Sequence, residues 1–185
     1  MRVITGTAKG KKLIAPKDER VRPTSDRVKQ SLFNIIDPII KNAVFIDCFS
    51  GSGAIGIEAL SRGAKEVYFI DHDKDSVDLI RKNLELTHLQ DKGKILTMNV
   101  EAAIASLSSR NIMADIVFMD PPYQLDIIAQ LVKKVSETEL LAKDGMIIAE
   151  HDKSYVPEKV ILDYTISDSR VYGSTIMTYY RKFPY

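Results

Sequence analysis

The sequence contains few of the residue types that usually support disulfides, metal sites or nucleophilic thiols. Its 185 residues include one cysteine, no tryptophan and three histidines. Cys48 has no partner for an intramolecular disulfide, and its position within an apolar run indicates a small core residue rather than a nucleophile. The histidines, His72, His88 and His151, are far apart and show no metal-ligand spacing with Cys48. We therefore predict no structural metal.

Long apolar segments are absent as well. No stretch reaches the roughly 20 apolar residues that cross a bilayer, and the N-terminus lacks the apolar core of a signal peptide. A chain that is 45% hydrophobic over 185 residues can still bury one good core. We therefore expect a soluble, cytoplasmic protein without membrane contact, and we expect it to be a monomer.

The net charge is only +1, but the charges are unevenly distributed. Residues 1–30 contain nine Lys or Arg and three acidic residues, a net charge of +6, while the other 155 residues sum to −5. This distribution is typical of a basic arm that binds a polyanion. A solvated surface segment would have the same composition, so charge alone leaves both interpretations open.

From residue 43, apolar runs alternate with helical patterns. The predicted strands are "AVFIDCF", "KEVYFID", "KILTMN", "ADIVFMD" and "GMIIAE", with helices around residues 54–62, 74–88, 101–108 and 125–135. Continuous apolar runs mean that both faces of each strand are covered, which predicts an α/β fold with a doubly wound, mostly parallel sheet. The segment "RVYGS" between two later β-prone runs predicts an antiparallel hairpin at the C-terminal edge.

The N-terminal segment has a different pattern. "RVITGTAKGKKLIAP" predicts a small basic β-hairpin or a pair of short strands. "PTSDRVKQSLFNIIDPIIK" predicts a helix with Pro23 and Thr24 as cap signals and a bend or stop at Pro38. We therefore predict a basic N-terminal extension at residues 1–41, followed by a main domain at residues 42–185.

The stretch "DCFSGSGAIGIEAL" places three glycines between the first predicted strand and its helix. Gly51, Gly53 and Gly56 have the spacing G-x-G-x-x-G, and Asp71 ends the next strand. Such glycines let the backbone approach a nucleoside-containing cofactor, and an acid in this position can accept hydrogen bonds from both ribose hydroxyls. Gly56 can equally serve only to pack the helix on the sheet, so its role stays open.

Asp47 bears on the identity of that cofactor. It precedes Gly51 by four residues, where its charge would repel the pyrophosphate of a dinucleotide and attract a cation. S-adenosylmethionine has a sulfonium and an ammonium group, so Asp47 favours this methyl donor over a nicotinamide dinucleotide. Glu101, just past the third strand, can accept a hydrogen bond from the adenine amine.

The segment "ADIVFMDPPYQ" ends a predicted central strand on an acid, two prolines and a tyrosine. Asp and Pro are ordinary turn residues, so a polar turn is the simplest interpretation. Next to a methyl donor, however, the pattern favours a site for the exocyclic amine of guanine or adenine. Asp120 and the carbonyl of Pro121 would accept the amine hydrogens and stabilise the growing positive charge. Pro122 would stiffen the turn, and Tyr123 would stack on the base.

Taken together, these segments resemble the RsmD-type methyltransferases, which modify guanine N2 in 16S, small-subunit ribosomal RNA. The segments that carry the resemblance are "RVITGTAKGKKL", "RPTSDRVKQSLFNII", "DCFSGSGAIGIEALSRGA" and the DPPY loop, and the similarity continues to "YGSTIMTYYRK". It implies a class I methyltransferase-like fold, S-adenosylmethionine as cofactor, and ribosomal RNA in the small subunit or an assembly intermediate as partner.

The resemblance also implies three sets of site residues. The catalytic set is Asp120, Pro121, Pro122 and Tyr123. The set that contacts S-adenosylmethionine is Asp47, Phe49, Gly51, Gly53, Asp71, His72 and Glu101. The set that binds RNA is Arg2, Lys9, Lys11, Lys12, Arg22, Thr24 and Arg27.

Three other classes of protein share part of this pattern. An adenine-N6 methyltransferase of DNA or RNA would have the same cofactor and DPPY loop. Such enzymes usually have a larger target-recognition region, however, and only about 42 residues precede the first predicted core strand here. A nicotinamide-dependent oxidoreductase would leave Asp47 and the DPPY loop without a role. A non-catalytic RNA-binding protein would not explain the acids at the strand ends.

Overall fold

The computed structural model describes residues 1–16, 26–122 and 127–183. Within these ranges the chain forms five α-helices, a short 3-10 helix and one eight-stranded sheet. The helices are α1 (Asp26–Ile40), α2 (Ala54–Ser61), α3 (Lys74–Thr87), α4 (Val100–Ser109) and α5 (Ile127–Glu137), and the 3-10 helix is Gln90–Lys92. The strands are β1 (Val44–Cys48), β2 (Glu66–Asp71), β3 (Gly93–Thr97), β4 (Ala114–Met119), β5 (Leu141–Asp152), β6 (Val160–Ile161), β7 (Tyr164–Tyr172) and β8 (Thr175–Lys182).

The strands lie in the order β3-β2-β1-β4-β5-β8-β7-β6. The first five are parallel, and β8, β7 and β6 continue the sheet in antiparallel pairing. The predicted α/β fold with an antiparallel C-terminal edge is confirmed. Strand order reverses between β1 and β4, and ligands of open α/β sheets bind at such a switch point, outside the carboxyl ends of the strands.

Helices cover both faces of the parallel part of the sheet. Phe45 and Phe118 share a buried cluster with side chains of α1, α2 and α3, whereas Ile46 and Val117 share a second cluster with α4 and α5. Alternate residues of one strand therefore face two different apolar layers, which explains the continuous apolar runs in the sequence. None of the helices in the described ranges is long and apolar enough to cross a membrane.

The predicted N-terminal β-hairpin is present as a short antiparallel pairing. The amide of Val3 donates to the carbonyl of Lys11 at 3.0 Å, and the amide of Leu13 donates to the carbonyl of Met1 at 3.2 Å. Among residues 1–16, only Arg2 and Lys12 form a β-bridge. The backbone amides of Ile4 and Thr5 instead donate to the carboxylate of Glu58 in α2, at 2.7 and 3.0 Å. The two legs therefore pair with each other over a few residues, and the next amides of the first leg bind the carboxylate of Glu58.

The turn of this N-terminal arm, residues 1–14, lies directly against the end of α2. The amide of Thr7 donates to the carbonyl of Ser61 at 2.8 Å, and the amide of Ala8 donates to Ser61 Oγ at 3.0 Å. Gly6 has φ +89°, and a Cβ at this position would lie 1.8 Å from the Ser61 carbonyl oxygen. Only glycine therefore permits this approach of the arm to the helix.

The arm and α1 belong to the same hydrophobic core as the sheet. Val3, Ala8 and Leu13 are buried in the cluster that contains Phe33 of α1 and Phe45 of β1. A domain boundary after residue 41 stays a prediction.

Helix α1 does not stop at the predicted proline. It continues past Pro38 to Ile40, which is 2% exposed and belongs to the core. The missing amide of a proline costs one intrahelical hydrogen bond, and burial of the last turn offsets that loss. The predicted cap residues Pro23 and Thr24 lie outside the described residues.

A buried ion cluster joins the arm, α1 and α2. Glu58 and Lys29 have side-chain exposures of 0% and 1%, and Lys29 Nζ lies 3.3 Å from the Glu58 carboxylate. Arg62 Nε lies 2.9 Å from the same carboxylate, and its guanidinium covers the ring of Phe33 at 4.8 Å. Lys29 also donates to the carbonyl of Arg2. Burial lowers the pKa of Lys29, and the charge of Glu58 opposes that shift.

We expect Glu58→Gln to destabilise the protein by about 3–5 kcal/mol, because it leaves two buried cations without their carboxylate. Chemical denaturation would measure the change. Glu137→Gln is the matched control, since Glu137 pairs with Lys133 at 3.8 Å on the exposed face of α5 and should change stability by less than about 1 kcal/mol. Equal stabilities of the two variants would contradict the importance of the cluster.

Candidate active site

Three carboxylates lie at the carboxyl edge of the parallel strands. Asp47 is in β1, Asp71 ends β2, and Asp120 directly follows β4. Each comes two residues after a phenylalanine of the buried cluster beneath α1, α2 and α3, so all three project from the same face of the sheet. We call these residues the carboxylate row. They flank the switch point between β1 and β4.

Asp47 is the most deeply buried member of the row. It is 2% exposed, and its Oδ2 accepts a hydrogen bond from the amide of Gly56 at 3.0 Å. Burial raises the pKa of Asp47 well above its usual range, and the charges of Asp120 and Asp71 act in the same direction. Three close carboxylates in a poorly solvated edge create a negative potential, and a cationic ligand would relieve it.

Asp71 ties the end of β2 to the glycine loop. Its Oδ2 accepts from the amide of Gly51 at 2.9 Å, and its Oδ1 accepts from the amide of Asp73 at 3.0 Å. A carboxylate has about four acceptor positions, so each oxygen can still accept another hydrogen bond. The half-buried side chain is therefore fixed in position and can still bind a pair of hydroxyls.

Ser50 holds the loop between β1 and α2, and the sequence analysis missed it. Its hydroxyl donates to the carbonyl of Asp47 at 2.6 Å and accepts from the amide of Ile70 at 2.9 Å. Its amide donates to the carbonyl of Ile70 at 3.0 Å. Next to it, Phe49 has φ +60°, a conformation that bulky residues rarely adopt. The available signal was a serine three residues after Asp47 and directly before Gly51.

The three glycines of the loop have different roles. Gly51 has φ +53° with no atom within 4 Å of an added Cβ, so its backbone faces open space. Gly53 has φ +76° and begins α2 without a side-chain cap. At Gly56 a Cβ would lie 2.3 Å from the ring of Phe69. The geometry therefore supports the packing interpretation for Gly56, and leaves Gly51 and Gly53 as the glycines that a ligand can approach.

The DPPY segment begins at the edge of the switch point. Asp120 is half-buried, and burial raises its pKa from 3.8 to about 6. Pro121 is half-buried and Pro122 is exposed, while Tyr123 lies outside the described residues. Asp120 ends the strand with a carboxylate, and the two prolines that follow it have carbonyl oxygens but no backbone N–H groups. This end of the strand can therefore accept hydrogen bonds from a substrate but has few groups to donate them.

Glu101 and His72 lie at the same edge but are exposed. Glu101 is in the first turn of α4, which Asn99 caps by accepting from the amide of Ala102 at 2.8 Å. Its charge is near enough to act on the buried thiol of Cys48, whose pKa is raised well above its usual range, chiefly by burial. Glu101 therefore lies beside the end of β1.

The basic residues of the arm follow its two legs. Arg2, Lys9, Lys11 and Lys12 are all exposed, and so is Arg27 in α1. Arg22 and Thr24 lie outside the described residues. The arm begins beside the glycine loop, and its turn reaches the other end of α2, which is about 12 Å long. Lys12, bridged to Arg2, is therefore closer to the carboxylate row than Lys9 near the turn.

Asn83 connects the arm to the glycine loop. This fully buried residue of α3 accepts from the amide of Ile14 at 2.8 Å and donates to the Ile14 carbonyl at 3.0 Å. It also donates to the carbonyl of Ser52 in the loop at 2.9 Å. A second contact runs from Ser52 Oγ to the sulfur of Met1 at 3.4 Å. One end of the arm thus contacts the loop through Met1, and the other end is connected to it through Asn83.

Within residues 1–16, 26–122 and 127–183, no group of three or more His, Cys, Asp or Glu side chains is arranged to hold a metal ion.

A doubly wound sheet with this strand order and a glycine loop at the end of β1 is the architecture of the class I methyltransferases. The chain belongs to the family described as conserved hypothetical protein 95, whose model matches residues 1–181. The predicted resemblance to the RsmD-type family is confirmed.

Similar proteins cover nearly the whole chain. YlbH of Bacillus subtilis (strain 168), provisionally named an rRNA methyltransferase, is 35% identical over 182 residues, 98% of this chain and 99% of that protein. Ribosomal RNA small subunit methyltransferase D of Escherichia coli (strain K12) is 31% identical over 182 residues, 98% of this chain and 90% of that protein. The solved structure of yhhF from Escherichia coli, provisionally named a methyltransferase, has a TM-score of 0.85 at 28% identity and covers 100% of this chain and 99% of that one.

Proposed function

We propose that this protein transfers a methyl group from S-adenosylmethionine to the exocyclic N2 amine of a guanine in small-subunit ribosomal RNA. The observation that carries the proposal is the position of Asp120 and its prolines beside the glycine loop, at the switch point of a class I methyltransferase fold. The names of the similar proteins support ribosomal RNA as the substrate. The guanine N2 position rests on the family resemblance together with the acceptor chemistry of the loop.

The residues at the edge of the sheet fit S-adenosylmethionine. The carboxylate row suits the sulfonium and ammonium charges, and because the pKa values of Asp47 and Asp120 are raised, a bound cation would favour their ionised forms. Asp71 has acceptor positions for the ribose hydroxyls, and the open side of Gly51 gives space for close approach. Glu101 can accept from the adenine amine. Phe49 and His72 complete the proposed cofactor set.

The bound cofactor supplies a methyl group on an electron-poor sulfur. The lone pair of a guanine amine is delocalised into the ring, so the protein must orient it rather than deprotonate it first. The Asp120 carboxylate and the Pro121 carbonyl accept the two amine hydrogens, which turns the lone pair toward the methyl group. The carboxylate also stabilises the positive charge that develops on nitrogen as the new N–C bond forms and the C–S bond breaks. The nitrogen then loses one proton to Asp120 or water.

The remaining proposed roles concern the substrate. Pro122 stiffens the loop, and Tyr123 stacks on the guanine. The exposed cations of the arm bind the phosphate backbone of the RNA. A monomeric state and a cytoplasmic location are further parts of the proposal.

Parallel transfer assays test this function. Tritiated methyl transfer from S-adenosylmethionine would be measured with small ribosomal subunits, naked ribosomal RNA and DNA, and mass spectrometry would identify the modified base. We expect N2-methylguanine in small-subunit RNA. N6-methyladenine in DNA or RNA would instead favour the adenine-specific alternative, and transfer to none of these substrates would contradict a methyltransferase.

We expect the protein to bind S-adenosylmethionine and S-adenosylhomocysteine but not NAD, as measured by isothermal titration. Asp71→Ala should weaken binding by roughly 1.5–3 kcal/mol, the cost of losing a charged hydrogen-bond partner. Asp75→Ala is the control, because Asp75 is exposed in the first turn of α3. NAD binding without S-adenosylhomocysteine binding would contradict the cofactor assignment.

We expect Asp120→Ala to lose two to three orders of magnitude in turnover, about the effect of removing one preorganised contact, with cofactor affinity nearly unchanged. Because Asp120 acts as a carboxylate with a pKa raised to about 6, wild-type activity should fall as the pH drops through 6.

The same shift has a stability signature. A raised folded-state pKa adds stability at low pH that is lost as the pH rises through about 6, so wild type should gain stability relative to Asp120→Asn on acidification from pH 7 to pH 4. Unchanged turnover in Asp120→Ala would refute the mechanism.

We expect neutralisation of Lys9, Lys11 and Lys12 to glutamine to weaken RNA binding and to lower the dependence of log affinity on log salt by about one unit per phosphate contact. The structure adds a gradient, since Lys12 should contribute more than Lys9. Cofactor binding and the identity of the modified nucleotide should not change. The control variant neutralises Lys65, Lys133 and Lys143, which are exposed away from the carboxylate row. Equal salt slopes in the two variants would mean that the arm does not bind RNA.

A further inference from the structure

The turn of the C-terminal hairpin lies at the same edge of the sheet as the carboxylate row. Strand β8 is antiparallel to β5 and begins opposite Asp152. Asp120 follows Met119, which pairs with Ala149, so Asp152 is two residues beyond the level of Asp120. The turn at Gly173–Ser174 therefore projects about 7 Å past Asp120 along the strand direction. The turn of the hairpin therefore lies beside the switch point between β1 and β4, where ligands of such sheets bind, rather than at the opposite end of the sheet.

Two side chains of the hairpin share the face of the carboxylate row. Arg170 pairs with Met177, and paired residues of neighbouring strands project to the same side. Met177 is buried in the cluster that contains Phe118, and Tyr172 packs against the same cluster. Asp120, two residues after Phe118, lies on this face as well. Arg170 and Tyr172 therefore continue, on β7, the surface that begins at Asp120.

The hairpin and the N-terminal arm lie on opposite sides of Asp120. The arm is anchored to α2 and α3, which pack on β1, β2 and β3. Strand β7 is the third strand from β4 in the other direction, about 14 Å away at the usual strand spacing. An RNA segment whose target base enters the crevice at Asp120 extends over the hairpin on one side and toward the arm on the other.

The chemistry of the two side chains suits nucleic acid. Arg170 is 57% exposed and pairs with Asp168 at 2.7 Å. An exposed pair contributes little stability, so a phosphate can replace this carboxylate at small cost. Tyr172 is half-buried, with its ring held against the core. Tyr179 and Tyr180, at 1% and 0% exposure, are core residues that no base can reach. Tyr172 is thus the tyrosine of this hairpin that can stack on a base.

We propose that the tip of the hairpin, residues 170–175, binds the RNA strand next to the target nucleotide, with Tyr172 stacking on a flanking base and Arg170 contacting a phosphate. This inference rests on the proposed function, because it takes RNA as the substrate. It assigns a second RNA-binding element, separate from the basic arm, to a segment that has little net charge.

Fluorescence anisotropy with a fluorescein-labelled RNA hairpin that presents an unpaired guanine tests the inference. Stacking on an aromatic side chain contributes enough that Tyr172→Ala should raise the Kd for this RNA about 5- to 100-fold, while Tyr172→Phe should stay within about threefold of wild type. Arg170→Ala should lower the salt slope by about one unit. Arg181→Ala is the matched control, because Arg181 belongs to the same hairpin and donates to the carbonyl of Asp144 at the other end of the sheet. Its RNA affinity and salt slope should equal those of wild type.

Methyl transfer separates the inference from the function on which it rests. With the ribosomal substrate that wild type methylates in the parallel assays, Tyr172→Ala should raise KM with kcat within about twofold, and titration should give an unchanged affinity for S-adenosylhomocysteine. RNA affinities equal to that of Arg181→Ala in both hairpin variants would overturn the inference while the proposed function stands. Lost cofactor binding in Tyr172→Ala would overturn it too, as evidence of a structural role. If wild type binds RNA through the hairpin but transfers no methyl group, the proposed function fails and the RNA surface is supported.

Discussion

The ionised carboxylate of Glu58, held without exposure to water, is the constraint on which the N-terminal half of the structure depends. A buried carboxylate costs several kcal/mol of desolvation unless donors surround it. Here Lys29 and Arg62 bring charge from α1 and α2, and the amides of Ile4 and Thr5 bring hydrogen bonds from the arm. Helix α1, helix α2 and the arm therefore supply partners for one another's buried polar groups. The loss of any one of them would leave buried groups of the others without a partner.

That mutual dependence has a geometrical effect on the site. Helix α2 begins at the glycine loop, so the element that anchors the arm is also the element that positions Gly51 and Gly53. Asn83 adds a direct connection between Ile14 and Ser52 at the loop itself. The surface proposed to bind RNA and the loop proposed to bind the cofactor are thus connected through helix α2 and Asn83. Their spacing is set by packing rather than by a flexible linker.

The sequence predicts those parts of the structure that depend on local periodicity. Asp47 and Asp120 were identified because each ends an apolar run, and ligands of such sheets bind at the carboxyl ends of the strands. The binding of the N-terminal hairpin to Glu58, more than 50 residues away, could not be predicted from local periodicity. An acid among the apolar residues of "AIGIEAL" was a visible sign of a buried charge. Asn83 gave no such sign, because its partner Ile14 is 69 residues away and only the folded chain brings them together.

The carboxylate row also limits how stable this protein can become. Burial raises the pKa values of Asp47 and Asp120, and neighbouring carboxylates add to the shift at Asp47, so the ionised forms of these acids oppose folding when no cation lies among them. Replacing either acid by its amide would relieve the repulsion and would remove the feature that recognises a cation. Selection for activity therefore holds the chain below the stability that its fold could reach, and the resting protein keeps an electrostatic strain that its ligand releases.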